Sequence, residues 1–259
     1  MSENKQKEHY EKHADQYAQH YFDRFSMQYR KEFIYGTLWQ GRDFSGSRAV
    51  ELACGAGFNS REFATTFRSV SMTGLDISPS ACASYTAAVG APAYEVDLTR
   101  PLTLPLEPFD VAFVIGGLHH CVADLRTTLA NIAGLVKPGG TLMMLEPNSH
   151  FLLEALRKLW YRLDSSFDAE NEAALDHDAL YHLGRDWFEV ESVRYLGGPA
   201  FFAVLNSMIL RIPLAAKPVI SPPLMALERV WNRIPLHSLQ NVFAAVWRRN
   251  AISVDRTAG

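Results

Sequence analysis

Two acidic residues and two glycines early in the chain have the types and spacing of a ligand-binding turn. An apolar stretch predicts a strand over residues 48–53, and Gly55 and Gly57 follow it just before a predicted helix. Glycine lets the backbone approach a ligand closely, and the first turn of a helix offers unpaired N–H groups. Glu51 lies four residues before Gly55, and Asp76 ends a second apolar stretch 21 residues after Gly55. The pattern predicts a binding site at the ends of two strands.

The two acids indicate which ligand this site takes. In doubly wound sheets a carboxylate at the end of the second strand binds ribose hydroxyls, and Asp76 has that position. The carboxylate of Glu51 beside the turn suits a cationic ligand better than the diphosphate that dinucleotide folds hold there. A ribose and a positive charge without a phosphate are combined in S-adenosylmethionine. We therefore expect S-adenosylmethionine as the cofactor.

The segments around this site resemble those of the class I S-adenosylmethionine-dependent methyltransferases. The resemblance extends over residues 45–147 and rests on five ordered segments: residues 51–57, 74–78, 96–98, 109–120 and 135–146. One departure is Ala53, which stands where the family usually has the first glycine of its glycine-rich loop. The resemblance implies an α/β fold with a Rossmann-like, doubly wound sheet of seven strands, mostly parallel, whose last strand is antiparallel.

The same resemblance assigns the contacts to the cofactor. It places Asp97 and Leu98 at the adenine, Gly116 at the methionine moiety, and Tyr17 where many relatives have a tyrosine that folds over the cofactor. The alternatives are a capping role for Glu51 and for Asp97, a turn role for Gly116, and core packing for Tyr17. The expected cofactor-binding residues are Tyr17, Glu51, Ala53, Gly55, Gly57, Asp76, Ile77, Asp97, Leu98, Ile115 and Gly116.

Two adjacent histidines, His119 and His120, follow the predicted fourth strand, close to where the resemblance implies that the methyl group points. Methyl transfer from a sulfonium requires mainly alignment and exclusion of water, and a base is needed only when the acceptor loses a proton. Because the histidine pKa suits such a base, both are candidate catalytic residues, with packing or capping as the alternative for His120. Glu146 is a further side chain that could face the substrate. Other pocket-side candidates are His150, His177 and His182.

The resemblance implies a small-molecule or amphiphilic acceptor, and we expect methylation on oxygen. The alternatives are methylation on carbon of a quinone- or isoprenoid-type acceptor, as in the ubiquinone and menaquinone biosynthesis methyltransferases, and a non-catalytic protein that binds the cofactor. Hydride transfer is disfavoured, because Ser60 takes the place of the third glycine of a dinucleotide fingerprint and the chain has no Tyr-x-x-x-Lys pair.

Composition narrows the class of protein further. The chain has 259 residues, 48% of them hydrophobic, which is enough for a large core, and its formal net charge of −3 gives no general attraction to nucleic acid. Its three cysteines predict neither a disulfide framework nor a zinc site, and three consecutive residues at 119–121 cannot direct their side chains to one metal. With no visible signal peptide or spanning segment, we expect a cytoplasmic enzyme without a metal or a nucleic-acid partner.

Alternating strands and helices predict a parallel core between two helical additions. We expect a helical cap over residues 1–42, the cofactor-binding core over 43–198, a helical insertion over 199–239, and the last strand and tail over 240–259. The prolines expected to interrupt the insertion are Pro213, Pro218, Pro222, Pro223 and Pro235.

The insertion is the individual feature of this chain. Residues 199–250 contain six basic residues and one acid, a net charge of +5, so the rest of the chain carries −8 to give −3 in total. Apolar residues recur at helical spacing on two predicted faces: Phe201, Leu205, Met208 and Ile212 on one, Leu224, Leu227, Trp231 and Ile234 on the other. Two interpretations stay open: the faces cover the substrate pocket or pair two subunits of a homodimer, or they dock peripherally on a membrane.

Overall fold

A computed structural model of the chain describes residues 21–153, 173–208 and 210–251, so the predicted contact of Tyr17 lies outside the described residues. The strands form one seven-stranded sheet in the order β3-β2-β1-β4-β5-β7-β6, in which β7 is antiparallel. This confirms the predicted fold. The strands are β1 (Arg48–Leu52), β2 (Ser71–Asp76), β3 (Ala93–Glu95), β4 (Phe109–Ile115), β5 (Val136–Pro147), β6 (Phe188–Leu196) and β7 (Val242–Arg249).

Six helices of six residues or more are described, and most begin or end at a signal that the sequence contains. Helix α3 shows this best, because the side chain of Ser78 accepts a hydrogen bond from the N–H of Ala81, Pro79 opens the helix, and Gly90 ends it with a φ of 72°. The helices are α1 (Arg24–Tyr29), α2 (Phe58–Thr66), α3 (Pro79–Val89), α4 (Leu125–Leu135), α5 (His177–Gly184) and α6 (Lys217–Trp231). A π-helical segment, Arg30–Tyr35, and a short turn, Gly36–Leu38, continue α1.

The strand register brings the expected site residues to one edge of the sheet. Strand β1 pairs in parallel with β2 on one side and with β4 on the other, so that Glu51 lies opposite Gly74 and Phe113. The sheet order reverses between β1 and β4, and ligands of doubly wound sheets bind in the crevice beyond the strand ends at this point. Strand β3 is shorter than the expected residues 92–97, which leaves Asp97 in the loop that follows it.

The described residues form two compact units. One comprises residues 42–146, 173–193 and 245–251, and the other comprises residues 21–41, 147–153, 194–208 and 210–244. The described part of the predicted cap and most of the predicted insertion therefore belong to the same unit. The division into four segments stays a prediction. No helix in the described ranges is long and apolar enough to cross a membrane.

The core of the first unit surrounds β4, whose residues 111–114 are buried. Phe63 of α2 stacks on Phe113, with ring centroids 5.1 Å apart. The indole N–H of the buried Trp247 donates to Nε2 of His177 over 3.2 Å. His177, a candidate for the pocket, is thus buried in the core at 5% exposure, and its role is packing.

Helix α6 contradicts the expectation that its prolines interrupt it. Pro218 lies in the first turn, where a missing N–H costs nothing, but Pro222 and Pro223 lie inside the helix. Both of these rings are on the exposed side, so the carbonyl groups that lose a helical partner there can bind water.

Buried polar contacts hold α1 to the insertion within the second unit. Asp23 caps α1 by accepting from the N–H of Phe25 at 2.8 Å, and it also receives the ammonium of Lys217, whose side chain is fully buried. The same ammonium donates to Oγ of Ser26 over 2.9 Å. Burial alone raises the pKa of Asp23, but the hydrogen bonds from Lys217, Ser26 and Phe25 outweigh it and leave that pKa below its ordinary value.

The turn between β1 and α2 has a left-handed backbone at three positions. Gly55 has a φ of 50° and Gly57 a φ of 77°, which glycine adopts without strain. Ala53 has a φ of 51°, which brings its Cβ close to its own carbonyl oxygen. Ala53, where the sequence departs from the family pattern, thus has a backbone conformation that is typical of glycine.

We expect Ala53→Gly to raise the free energy of unfolding by about 1 kcal/mol, because it removes this strain at an exposed position where the lost methyl buries little surface. Chemical denaturation measures the change. Gly46→Ala is the matched control and should have the opposite effect. Gly46 has a φ of 75° and open space around an added Cβ, so the variant adds backbone strain without a new contact, and its free energy of unfolding falls by about 1 kcal/mol. A destabilised Ala53→Gly variant would contradict this account.

We expect Asp23→Asn to lower the free energy of unfolding by about 3 kcal/mol, because it removes the negative charge of Asp23 from the buried Lys217 ammonium. Adding Lys217→Met to this variant restores most of the loss. Glu32→Gln is the control, since it breaks the exposed contact with Arg229 and costs less than about 1 kcal/mol.

The effect of Asp23→Asn also depends on pH. The folded-state pKa of Asp23 lies below its ordinary value of about 3.9, so its stabilisation is complete above that value and is lost as the pH falls through the folded-state pKa. The stability difference between wild type and Asp23→Asn therefore shrinks in acid. Denaturation curves at several pH values measure it, and a difference that grows in acid would contradict the assignment.

Candidate functional site

The glycine turn after β1 is bonded directly to the acid that ends β2. The N–H of Gly55 donates to Oδ2 of Asp76 over 2.9 Å, and the N–H of Ser78 donates to Oδ1 over 2.9 Å. Burial raises the pKa of Asp76 despite the hydrogen bonds from the backbone of Ser78, Gly55 and Ile77. A carboxylate has about four acceptor sites, so at least one stays for a hydroxyl group after these three N–H groups are bonded. This arrangement suits a ribose hydroxyl.

Glu51 is bonded inside the protein, beneath the start of α2. Its side chain is 1% exposed and accepts from Nδ2 of Asn59 at 2.8 Å, from the N–H of Ser60 at 3.0 Å and from the hydroxyl of Ser60. This is the geometry of the capping alternative. The contact between Glu51 and the cofactor stays a prediction, and the roles of Asn59 and Ser60 were not foreseen, since Ser60 attracted notice only as the place of a missing glycine.

Tyr85 of α3 closes the space under the glycine turn. A Cβ added to Gly57 would lie 2.8 Å from Cδ2 of Tyr85 and 2.4 Å from Cγ2 of Val89, and one added to Gly74 would lie 3.0 Å from the Tyr85 ring. The Tyr85 hydroxyl lies 2.8 Å from Oγ of Ser60, which extends the buried network around Glu51. Close packing on α3 is therefore a reason for glycine at position 57 beyond any contact with a ligand.

The expected adenine side combines an apolar surface with a fixed loop. Ile77 is 47% exposed directly after Asp76, whereas Leu98 is buried. Asp97 accepts from the N–H of Thr99 at 2.9 Å and pairs with Arg100 at 3.1 Å, which is the loop-capping alternative. A contact of Asp97 with adenine stays a prediction.

The loop of Asp97 is also anchored from α4. The side-chain amide of Asn131 donates to the carbonyl groups of Leu98 and Arg100, and its oxygen accepts from the N–H of Leu102 at 3.1 Å. Sequence reasoning missed Asn131, because nothing in a regular helix marks one asparagine as the partner of a loop 30 residues earlier.

The end of β4 lies against the glycine turn. Gly116, which follows Ile115, has a φ of 74°. A Cβ added to Gly117 would lie 2.6 Å from Cβ of Ala53, so glycine is required at position 117 by the close approach of the two loops. The predicted residues at the ends of β1, β2 and β4 are thus brought together.

Glu146 organises the loop that carries the candidate base. Its carboxylate is fully buried and accepts from the N–H groups of Gly117 at 3.0 Å, Leu118 at 2.8 Å and His119 at 3.3 Å. It also lies 2.8 Å from Nδ1 of His119. The expectation that Glu146 could face the substrate is wrong, because its oxygens are used for this loop.

The contact with Glu146 fixes the chemistry of the His119 ring. A carboxylate that only accepts hydrogen bonds places the proton of a neutral imidazole on Nδ1, which leaves the lone pair on Nε2. Nε2 makes no hydrogen bond with any described residue, and Cε1 of the ring would lie 4.0 Å from a Cβ added to Gly116. The side chain of His119 is 15% exposed. It can accept a proton beside the end of β4.

His120 has a different environment. Burial, and then the charge of His119, lower the pKa of His120 to about 3, and its ring centroid lies 4.0 Å from that of His119. The imidazole of His120 is therefore neutral at physiological pH, and packing is its better supported role. Among the described residues, no group of three or more His, Cys, Asp or Glu side chains could hold a metal ion.

Comparisons with known proteins agree with this geometry. Residues 50–142 match the model of a family described as a methyltransferase domain. No curated protein matches the chain.

Three similar solved structures illustrate the shared fold. The N-methyltransferase NodS from Bradyrhizobium japonicum WM9, in complex with S-adenosyl-L-homocysteine, is 13% identical with a TM-score of 0.54, over 87% of this chain and 88% of that chain. A putative sarcosine dimethylglycine methyltransferase from Galdieria sulphuraria is 13% identical with a TM-score of 0.57, over 87% and 85%. Phosphoethanolamine N-methyltransferase 2 from Haemonchus contortus, in complex with S-adenosyl-L-methionine, is 15% identical with a TM-score of 0.55, over 84% and 51%.

The sheet order and the matched domain agree with each other. Residues 50–142 match a methyltransferase domain, and the seven-stranded sheet has the Rossmann-like fold of the S-adenosylmethionine-dependent methyltransferases to which the chain is similar.

Proposed function

We propose that this enzyme methylates a hydroxyl group of a small-molecule or amphiphilic acceptor, with His119 as the general base. The observation that carries the proposal is the 2.8 Å contact between Nδ1 of His119 and the buried Glu146, which leaves Nε2 to accept a proton. Alcohols and phenols must lose a proton when they accept a methyl group, and a neutral imidazole oriented by a carboxylate is suited to take it.

Different residues of the chain have different roles in the proposed methyl transfer. S-adenosylmethionine supplies a methyl group already activated by a sulfonium. Asp76 would hold the ribose, and Gly55 and Gly116 would let the backbone come close to the ligand. His119 would accept the hydroxyl proton at Nε2 when the methyl group passes from sulfur to the acceptor oxygen, and S-adenosylhomocysteine would leave. Glu146 keeps the proton on Nδ1 and holds the ring in place.

Methylation on carbon or nitrogen is the nearest alternative. The three structures described above are named for methyl transfer to nitrogen or to glycine derivatives, but identities of 13–15% support the fold alone. The cofactor-binding role of Glu51, Ala53, Ile77, Asp97, Leu98 and Ile115 also stays part of this proposal. The proposal also includes a cytoplasmic location, a homodimer, the absence of a nucleic-acid partner and a peripheral membrane contact through residues 199–239.

Transfer from S-adenosylmethionine labelled with ¹³C in its methyl group tests the proposal. The enzyme is incubated with fractions of phenols, alcohols, amines and quinols, and the ¹³C chemical shift of the product shows which kind of atom carries the methyl group. A methyl group on oxygen supports the proposal, and one on carbon or nitrogen would replace it.

We expect Asp76→Ala to weaken the binding of S-adenosylhomocysteine by about 10- to 100-fold, because it removes the charged acceptor of the ribose hydroxyl. Isothermal titration calorimetry measures the affinity. Asp178→Ala is the control, since that carboxylate is 88% exposed on α5 and should leave the affinity unchanged. Equal affinities of Asp76→Ala and wild type would refute the ribose assignment.

We expect His119→Gln to lower kcat by about 100-fold or more while the affinity for S-adenosylhomocysteine changes little. Glu146→Gln should also lower kcat, because the amide has no negative charge to stabilise the imidazolium, and its NH2 group can donate to Nδ1 and so favour the wrong tautomer of His119. The dependence of kcat on pH is measured for the wild type and for both variants.

His182→Gln, at an exposed position on α5, is the control for both variants. Full activity of His119→Gln on a hydroxyl acceptor would exclude His119 as the base. A Glu146→Gln variant that loses stability but keeps kcat and the pH profile would give Glu146 a structural role only.

A further inference from the structure

Helix α6 is oriented by buried polar residues. Lys217 and Glu228 are fully buried and Ser221 is 2% exposed, so the inner side of the helix carries both of its buried charges. The carboxylate of Glu228 accepts from the hydroxyl of Tyr29 at 2.6 Å and from the N–H groups of Gly198 at 2.8 Å and Ala200 at 2.9 Å. These contacts lie within the second unit and fix which side of α6 faces inward.

The opposite side of α6 is therefore exposed and apolar. Val219 is 77% exposed, Leu227 46% and Val230 59%, and Pro223 is exposed between them. These four residues follow one another at intervals of four, four and three residues, so at about 3.6 residues per turn they form one face, which we call the outer face. Exposed apolar residues also flank α6: Leu210 and Leu214 before it, Ile234 and Leu236 after it.

The outer face differs from the predicted face of Leu224, Leu227, Trp231 and Ile234, of which it contains Leu227 alone. The buried partners of Lys217 and Glu228 decide the orientation of α6, and the spacing of apolar residues does not contain this constraint. Contiguous exposed apolar residues of this kind mark interaction sites.

The charges around the outer face indicate what it contacts. Within residues 210–236 the exposed charged side chains are Arg211, Arg229 and Arg233, all basic, because the acid of this segment, Glu228, is buried. Arg229 is paired with Glu32, which leaves Arg211 and Arg233 as the cations that a partner could neutralise. Arg211 precedes α6, and Arg233 lies two residues after its end.

Aliphatic side chains bordered by cations match an anionic lipid interface. Amphipathic helices bind such interfaces with an apolar face among the acyl chains and basic residues at the headgroups. Protein interfaces instead concentrate aromatic anchors and paired polar groups. The outer face has no aromatic residue, and the nearby Trp231 is engaged, since its indole N–H donates to the carbonyl of Leu239 over 3.1 Å.

We propose that the outer face of α6 docks reversibly on an anionic lipid surface, with Val219, Leu227 and Val230 at the acyl boundary and Arg211 and Arg233 at the headgroups. The docking is independent of the methylation chemistry, and it would deliver the enzyme to acceptors dissolved in the lipid.

Co-sedimentation with vesicles tests this surface. The full chain is mixed with vesicles of phosphatidylcholine alone or with phosphatidylglycerol, at low and at high salt. We expect binding to the anionic vesicles at low salt that weakens as salt screens the headgroups. The double variant Val219→Glu, Val230→Glu should bind at least tenfold more weakly. Because both positions are exposed, it should keep the thermal unfolding of the wild type.

Three further variants make the result specific. Val190→Glu is the matched control, since Val190 is 36% exposed on β6, and it should bind as the wild type does. Arg211→Gln and Arg233→Gln should each weaken binding to anionic vesicles about fivefold.

Three results would overturn the proposal. One is the absence of vesicle binding at low salt, and another is binding that the double variant leaves unchanged. The third is a wild-type dimer in light scattering that the double variant dissociates without any effect on vesicle binding, which would assign the outer face to a second copy of the chain.

Discussion

Buried carboxylates that accept backbone N–H groups hold the site together. Glu51 on β1, Asp76 at the end of β2 and Glu146 on β5 each bond the N–H groups of a loop at the edge where the strands end: Ser60, Gly55 and residues 117–119 respectively. A buried carboxylate without such donors would cost several kcal/mol, so each loop is fixed by the requirement that its acid be satisfied. The site is therefore arranged before any ligand binds, which is what in-line transfer of a methyl group needs.

Local signals in the sequence were sufficient for the elements of the sheet core. Helix α3 is an example, because its cap at Ser78, its opening Pro79 and its end at Gly90 are all local features. Helix α6 shows the limit of such signals. Its prolines suggest an interruption, and its apolar residues do not show which side is buried, since the partner that orients Glu228 is Tyr29, 199 residues earlier.

The candidate site was predictable to a similar extent. The spacing between the glycine turn and Asp76 was enough to predict them as parts of one site, because both lie at strand ends in this fold class. The function of Glu146 could not be predicted in this way. The nearest of its hydrogen-bond donors is 27 residues earlier in the chain, and most of the donors are backbone N–H groups, which any residue type except proline supplies. His119 was singled out by its chemistry, but its tautomer depends on that contact with Glu146.

The pairing of α1 with α6 has a consequence for synthesis of the chain. The partners of Asp23 and Tyr29 are made 194 and 199 residues later, which at about 5–20 residues per second is a delay of roughly 10–40 seconds. During that interval Ile34 and Leu38, fully buried in the finished fold, lack residues 194–244 of their own unit. The segment that emerges early is thus among the last to fold, and a ribosome-associated chaperone would meet it in an unfolded, apolar state.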